Sequence, residues 1–329
     1  MPPEHRGLPR DAVRLLVARG RTISHHRFHE LATLLDPGDL LVVNTSATLP
    51  AALSGTRADG TPARLHVSGW IDPDTWIVEV RQQDNRGAHP GTRPGDVIQL
   101  PAGVGLTLTR AYPDPATQTS RLWLGAPLPA AHPVSYLRAH GRPITYAHHR
   151  GDFPLSDHQT VYADQPGSAE MASAGRPFTL PLVMRLITAG VTITPLTLHC
   201  GVSSAEFHEP PAPERYEVPE STARLVNVTR GDSRRVIAVG TTVARALETV
   251  AAPDGRVQAG RGWTDLVLGS DRPARVVAGL ITGLHEPASS HLSLLEAIAG
   301  PELVGSAYEA ALRLRYLWHE FGDSMLLLP

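Results

Sequence analysis

The 329 residues, 42% hydrophobic and 19% charged, suffice for one large or two medium globular domains, and no run of about 18 apolar residues offers a membrane span. A formal net charge of −2 carries no overall basic footprint for a phosphate polymer, and the single cysteine, Cys200, excludes a disulfide framework within the chain. All 30 basic residues are arginine, so Schiff-base catalysis, pyridoxal phosphate attachment and a Walker-type phosphate loop, which need a lysine amine, are excluded.

Residues 1–11 are polar and proline-rich and lack the apolar centre of a signal peptide, which makes a cytoplasmic location the expectation. Two apolar runs, 14–18 and 40–44, read as buried strands, with a short helical stretch and the turn Asp36-Pro37-Gly38-Asp39 between them. From about residue 53 to 145 the texture changes. Short runs of alternating Val, Leu, Trp and Thr at 63–68, 75–81, 106–110 and 120–124, separated by Pro/Gly/Asp clusters, predict a small antiparallel barrel or sandwich without a clear helix.

After Tyr146 helices and strands alternate. Thr179 can cap a helix that runs to Ala189, with Pro181 in its first turn and Gly190 closing it. Residues 191–199 and 235–239 read as strands, and Gly240-Thr241-Thr242 opens a helix ending near Val250. Leu280-Ile281 reads as a strand end, Ser289 or Ser290 as a cap, Gly300 as a stop, and residues 303–319 as a last helix. The fold class expected is α/β with two domains: a mixed α/β catalytic domain formed by both chain ends, 1–52 and 146–329, and a small β-barrel domain, 53–145, inserted in its middle.

Ligands of open α/β sheets collect at the carboxyl ends of strands. Three loops qualify: Leu198-His199-Cys200-Gly201-Val202-Ser203-Ser204, Val239-Gly240-Thr241-Thr242, and Ile281-Thr282-Gly283-Leu284-His285-Glu286-Pro287. A fourth polar segment is Ala172-Ser173-Ala174-Gly175. Gly240-Thr241-Thr242 could aim N–H groups and hydroxyls at a carboxylate or ribose, or be only a capped turn. His199 and His285 are candidate general bases, since histidine titrates near neutral pH. No metal site is expected: His25, His26 and His29 near Glu30, and the doublet His148-His149, fall short of three or four ligands. Cys200 reads as a buried, inert thiol, because neighbours on a strand face opposite ways.

Taken in order, these stretches resemble the S-adenosylmethionine:tRNA ribosyltransferase-isomerase family of queuosine biosynthesis. The resemblance runs through Pro37-Gly38-Asp39-Leu40-Leu41-Val42-Val43-Asn44, Gln159-Thr160-Val161-Tyr162-Ala163, Ala174-Gly175, Phe178-Thr179, Thr197-Leu198-His199 and Gly201. It continues with Ala238-Val239-Gly240-Thr241-Thr242, Arg245, Leu247-Glu248, Leu280-Ile281-Thr282, His285, Pro287 and Ser289. It ends with Arg315-Tyr316 and Phe321-Gly322-Asp323-Ser324-Met325-Leu326. It implies a β-barrel inserted into an α/β domain, and a metal-independent transferase and isomerase. S-adenosylmethionine would serve as substrate, its ribosyl part moving to the aminomethyl group of a deazaguanine in tRNA with release of adenine and methionine. Such chemistry is reasonable because the sulfonium acidifies the C5′ protons, so that a positioned base can start the elimination of adenine.

Departures accompany the matches. Asn44-Thr45-Ser46-Ala47 and Pro50-Ala51-Ala52 stand where the family has Asn-Asp-Thr-Arg and Pro-Ala-Arg, so two arginines are gone. Arg176-Pro177 replaces Leu-His, and Glu209-Pro210-Pro211-Ala212-Pro213-Glu214 keeps only the last carboxylate of a His-x-Met-His-x-Glu pattern. The expectation drawn from them is a divergent, S-adenosylmethionine-consuming member with a changed, small-molecule acceptor. A true tRNA enzyme and a non-catalytic S-adenosylmethionine-binding protein remain open. The site residues expected are His199, His285 and Glu214 as catalytic groups, Glu214 as second proton acceptor or sulfonium partner. Ser173, Gly175, Gly201, Gly240, Thr241, Thr242, Arg245 and Thr282 are expected around the ligand, with Arg245 paired to Glu248 or to a carboxylate. No membrane partner is expected, and the oligomeric state is left open.

Overall fold

The computed structural model describes residues 1–116, 120–146, 151–203, 211–285, 290–318 and 320–329. Ser204, Glu209, Pro210, Glu286, Pro287, Ser289, His319 and the His148-His149 doublet, all named above from sequence, lie outside the described residues. Among the described residues no helix is long and apolar enough to cross a membrane.

The N-terminal run forms β1 (Arg14–Arg19), which turns back antiparallel as β2 (Thr22–Arg27). The helical stretch expected before the Asp36 turn is a single 3-10 segment, Phe28–Thr33. Next come β3 (Leu40–Asn44) and the short β4 (Ser46–Thr48). The turn preceding β3 is locked by Arg235, whose Nε donates to Asp39 Oδ1 at 2.9 Å.

The middle of the chain closes into an antiparallel barrel of β5 (Ala52–Arg57), β6 (Pro62–Asp72), β7 (Thr75–Arg81), β8 (Val97–Gln99), β9 (Gly105–Tyr112) and β10 (Leu122–Leu128), in the order β10-β7-β6-β5-β8-β9. Alternation places Leu65, Val67, Trp76, Val78, Leu106, Leu108 and Trp123 in one apolar cluster inside it. A helix was not expected here, yet α1 (Pro133–His140) follows the barrel. Its signal, Pro133 at the first position and Arg138 and His140 in the last turn, is hidden by the surrounding prolines. The chain enters and leaves the barrel side by side: Ala52 and Arg142 exchange two backbone hydrogen bonds of 2.9 Å.

The rest builds the sheet that carries the first strands. After β11 (Gln165–Ser168), which pairs with β4, α2 (Leu180–Thr188) is capped by Thr179, whose hydroxyl accepts from the Leu182 amide at 3.3 Å. Then follow β12 (Thr192–Leu198), β13 (Glu214–Val218), α3 (Glu220–Gly231), β14 (Val236–Val239), α4 (Thr241–Thr249), β15 (Gly260–Thr264) and β16 (Gly279–Gly283). The chain ends with α5 (Ser290–Ala299), α6 (Pro301–Arg313) and β17 (Ser324–Leu328). The last helix therefore stops at Arg313, short of the expected 319, and Arg315 turns the chain with φ 51°.

Nine strands lie in the order β15-β13-β12-β3-β14-β16-β17-β1-β2. The four at the centre, β12, β3, β14 and β16, are mutually parallel. Their period-two side chains divide cleanly: Leu40, Val42, Leu196, Ala238 and Leu280 join the cluster under α4, α5 and α6, whereas Leu41, Val43, Ile237, Val239 and Ile281 join Phe178 and the α2 residues Leu182 and Leu186 on the other face. Each large aliphatic side chain so buried contributes about 1.5–3 kcal/mol. The mixed α/β sheet bearing a closed barrel is the fold class expected from sequence.

Candidate functional site

Four parallel strands end on one edge of the sheet, and their carboxyl ends deliver His199 after β12, Asn44 on β3, Gly240 after β14 and Thr282 on β16. Above this edge lies a cavity of about 620 Å³, walled on its other side by barrel residues including Ser68, Trp70 and Tyr112. Its size suits a small-molecule ligand. All the site residues expected from sequence border it except Gly175. Gly175 sits behind the wall, where a Cβ would lie 2.1 Å from the Tyr162 hydroxyl, so a side chain there would push the 3-10 turn that carries Ser173.

Asn44 ties the loops together. Its Nδ2 donates to Leu198 O at 2.8 Å, its Oδ1 accepts from the Leu198 amide at 3.0 Å and the Ser46 amide at 3.0 Å, and Nδ2 reaches Thr242 Oγ1 at 3.3 Å. One buried amide thus fixes the ends of β3 and β12 relative to the start of α4. Gly240 precedes α4 with φ 100° and ψ 153°, a conformation essentially confined to glycine, which turns the strand directly into the helix. The free N–H groups at that helix start and the Thr241 and Thr242 side chains border the cavity, as an anion or a ribose would require.

Arg245, one turn into α4, does not pair with Glu248. Its Nη1 forms an ion pair with Glu214 Oε2, and its Nε and Nη2 donate to Leu266 O at 3.1 Å and Thr264 O at 3.2 Å. Glu248 is fully occupied elsewhere: its carboxylate accepts from the amides of Arg275, Val276 and Val277 at 2.8–3.1 Å. The i, i+3 spacing is overridden because those three amides, pointing into the core, have the greater need of an acceptor. Glu214 Oε1 in turn accepts from the Gly201 amide at 2.8 Å. With both oxygens engaged, Glu214 is built as a fixed negative charge facing the cavity. Gly201 is small of necessity, since a Cβ there would meet Ser68 Oγ at 2.6 Å, and this close approach brings barrel strand β6 against the β12 loop.

His199 stands on the opposite side of its strand from Cys200, as expected. Cys200 packs in the apolar cluster, where burial pushes its thiol up and leaves it inert. His199 is lowered to about 4, first by burial and then by the nearby Arg215 guanidinium, so its imidazole is neutral at physiological pH. His285 Nε2 lies 3.0 Å from Thr282 Oγ1, its backbone amide donates to Tyr308 Oη at 3.2 Å, and its ring stacks on His291 with centroids 4.3 Å apart.

Several residues at this site carry no signal that was read from sequence. Ser168 and Ser46 link His199 to the β4–β11 pair, and Ser46 falls within the Asn44-Thr45-Ser46-Ala47 motif that could have pointed to it. At the barrel side, Glu170 accepts from the Ser203 amide at 2.9 Å and from Tyr146 Oη, and Glu320, pushed up to about 8 by burial and the Glu170 charge, borders the same cavity. Arg176, which replaces the family's leucine, is structural: it donates to Glu4 Oε2 at 3.0 Å and Asp157 O at 2.7 Å and stacks over Phe321.

Residues 2–327 match the family described as queuosine biosynthesis protein. The S-adenosylmethionine:tRNA ribosyltransferase-isomerases of Moorella thermoacetica and Carboxydothermus hydrogenoformans are each 35% identical to this chain, over 97% of it and 94% of the relative. The crystal structure of S-adenosylmethionine tRNA ribosyltransferase from Thermotoga maritima superposes with a TM-score of 0.52 at 27% identity, covering 97% of this chain and 94% of that one. The match extends over both chain ends and the barrel between them, and the chain therefore belongs to the queuosine biosynthesis protein family.

Proposed function

We propose that this chain is an S-adenosylmethionine-using transferase and isomerase that acts on tRNA, moving the ribosyl part of S-adenosylmethionine to an aminomethyl-deazaguanine base with release of adenine and methionine. The observation that carries the reading is end-to-end similarity to enzymes named for that reaction, combined with a cavity lined by the loop residues the resemblance singles out. The names of the relatives favour tRNA over the small-molecule acceptor expected from the lost arginines. A cytoplasmic location belongs to the same reading, as does the division into an α/β domain and an inserted barrel domain at residues 53–145, supported by the barrel's own apolar cluster.

Each group then has a task. The N–H groups and hydroxyls of Thr241 and Thr242 hold ribosyl or carboxylate oxygens. The Glu214 carboxylate, fixed by Arg245 and Gly201, faces the sulfonium and stabilises the positive charge while the C5′ proton is removed. His285, oriented by Thr282, is the proton acceptor. Trp70 and Trp263 offer flat faces for a nucleobase, and the Glu170 carboxylate on the barrel side stands ready to take a proton from the incoming amine.

The test is product analysis. tRNA carrying the aminomethyl-deazaguanine base is incubated with the protein and S-adenosylmethionine, digested to nucleosides and weighed by mass spectrometry. A nucleoside heavier by the rearranged ribosyl unit is expected; unchanged tRNA alongside consumed S-adenosylmethionine would return the diverged acceptor to first place.

A further inference from the structure

Three side chains that the reaction scheme above does not use form a closed hydrogen-bond chain behind the cavity. Ser168 Oγ accepts from the Cys200 amide at 2.9 Å and lies 2.6 Å from Ser46 Oγ. Ser46 Oγ lies 2.7 Å from His199 Nδ1. Ser168 is 0% and Ser46 2% exposed, so neither hydroxyl proton can be given to solvent.

The protons of this chain can be counted. A buried hydroxyl has one proton to donate, and leaving it without an acceptor costs about 1–3 kcal/mol. Among the described residues, the strong acceptor within reach of the Ser168 hydroxyl proton is Ser46 Oγ at 2.6 Å, since the neighbouring Cys200 amide is itself a donor and the Cys200 thiol beside it is only a weak acceptor. Ser46 must then receive from Ser168 and pass its own proton onward, and its one remaining neighbour is His199 Nδ1. Run in the opposite direction, with His199 Nδ1–H donating to Ser46 and Ser46 to Ser168, the chain would leave the Ser168 proton only the weak Cys200 sulfur in place of a 2.6 Å oxygen acceptor. Nδ1 is therefore the acceptor, and the proton of a neutral imidazole sits on Nε2. That nitrogen has no partner among the described residues, on a ring that borders the cavity.

We propose that Ser168 and Ser46 are positioning residues that hold His199 as its Nε2–H tautomer, making His199 a hydrogen-bond donor to an oxygen of the bound S-adenosylmethionine and not the base of the reaction. The identity of that ligand rests on the function proposed above; the tautomer does not. Gly167 completes the seat. A Cβ there would lie 2.3 Å from His199 Nδ1 and 2.4 Å from Cε1, so only the bare backbone lets the ring reach Ser46. The assignment also selects between the two histidines: with His199 committed as a donor, proton removal falls to His285.

The experiment is a long-range proton–nitrogen correlation spectrum of the 15N-labelled full chain without ligand, with His199 identified by the signals lost in His199→Gln. A pyridine-type nitrogen at Nδ1 and a pyrrole-type nitrogen at Nε2 are expected. Ser46→Ala should shift the ring towards the Nδ1–H form or a mixture, and Ser46→Thr, which keeps the hydroxyl, should restore the wild-type pattern. A wild-type ring protonated on Nδ1 would overturn the relay. Methionine and adenosine, added separately, then show which half of the ligand carries the oxygen: the Nε2–H signal should move with one of them, and no response to either overturns the donor role. The two proposals fail separately. A chain that turns over with Nδ1–H contradicts the relay alone, and one with Nε2–H that leaves tRNA unmodified contradicts the function alone.

Discussion

At the scale of single residues, the molecule holds several histidines neutral by burying them. His199 and His291 are each lowered to about 4 and His66, on barrel strand β6, to about 3, in each case chiefly by desolvation and further by nearby arginines. The sign of the consequence follows from proton counts. An unfolded histidine takes up a proton near pH 6.5, whereas these three refuse it until about pH 4 or below, so the unfolded chain binds more protons in that interval. The histidine contribution to stability is complete above pH 6.5 and falls as the pH drops from there towards 4. Glu320 acts oppositely: raised to about 8, it contributes most at low pH and less as the pH rises from 4.5 to 8. Removing one histidine isolates its share. Denaturant unfolding of wild type and His199→Gln should give curves that diverge with pH, the wild type losing up to about 3 kcal/mol more than the variant between pH 6.5 and 4. Parallel curves would mean that His199 is not held neutral.

At the scale of elements, the start of α4 is the part of the site most dependent on backbone geometry. Gly240 has φ 100°, but a Cβ there would meet nothing closer than Ala174 Cβ at 3.4 Å, so its requirement is conformational and not steric. Gly240→Ala should therefore cost about 1–3 kcal/mol of stability and weaken S-adenosylmethionine binding by displacing the amides of Thr241 and Thr242. Gly305, in the middle of α6 with open space around it, is the control: Gly305→Ala should stabilise by about 0.5–1 kcal/mol and leave binding unchanged. Thermal melts with isothermal titration of S-adenosylmethionine distinguish the two, and equal effects at both positions would contradict the account of the strand-to-helix turn.

The same elements show what a sequence discloses. β3 and β14 are apolar on both faces, so their runs stand out as buried strands, and the polar residues directly after apolar runs, His199, Gly240 and Thr282, mark the strand ends that line the cavity. α3 and β13 leave no comparable signal, because α3 is amphipathic on a short, polar stretch and β13 follows a proline cluster. Contacts between distant loops leave no periodic trace. Glu214, the partner of Arg245, is 31 positions away, while Glu248 at i+3 supplied a local pairing that the fold does not use. Ser46 and Ser168, 122 positions apart, meet only because β4 pairs with β11.

At the scale of the whole molecule, the site exists because two apolar clusters are set against each other. The sheet supplies four parallel strand ends, the barrel supplies the facing wall, and Gly201 and Ser68 let the two approach: the Val202 amide donates to Ser68 Oγ at 3.0 Å. The cavity between them has a sheet side rich in donors and a fixed carboxylate, and a barrel side bearing aromatic rings and the Glu170–Glu320 pair. Such a division suits a reaction with two partners, one held by the strand ends and the other arriving along the barrel. The central claim is the proposed one, that S-adenosylmethionine serves as the ribosyl donor to a base in tRNA. The most direct measurement follows adenine and methionine by mass-resolved chromatography after mixing the purified protein with S-adenosylmethionine, first alone and then with tRNA bearing the aminomethyl-deazaguanine base. Release that begins on addition of the tRNA is the predicted result; full release without tRNA, or none with it, would contradict the account.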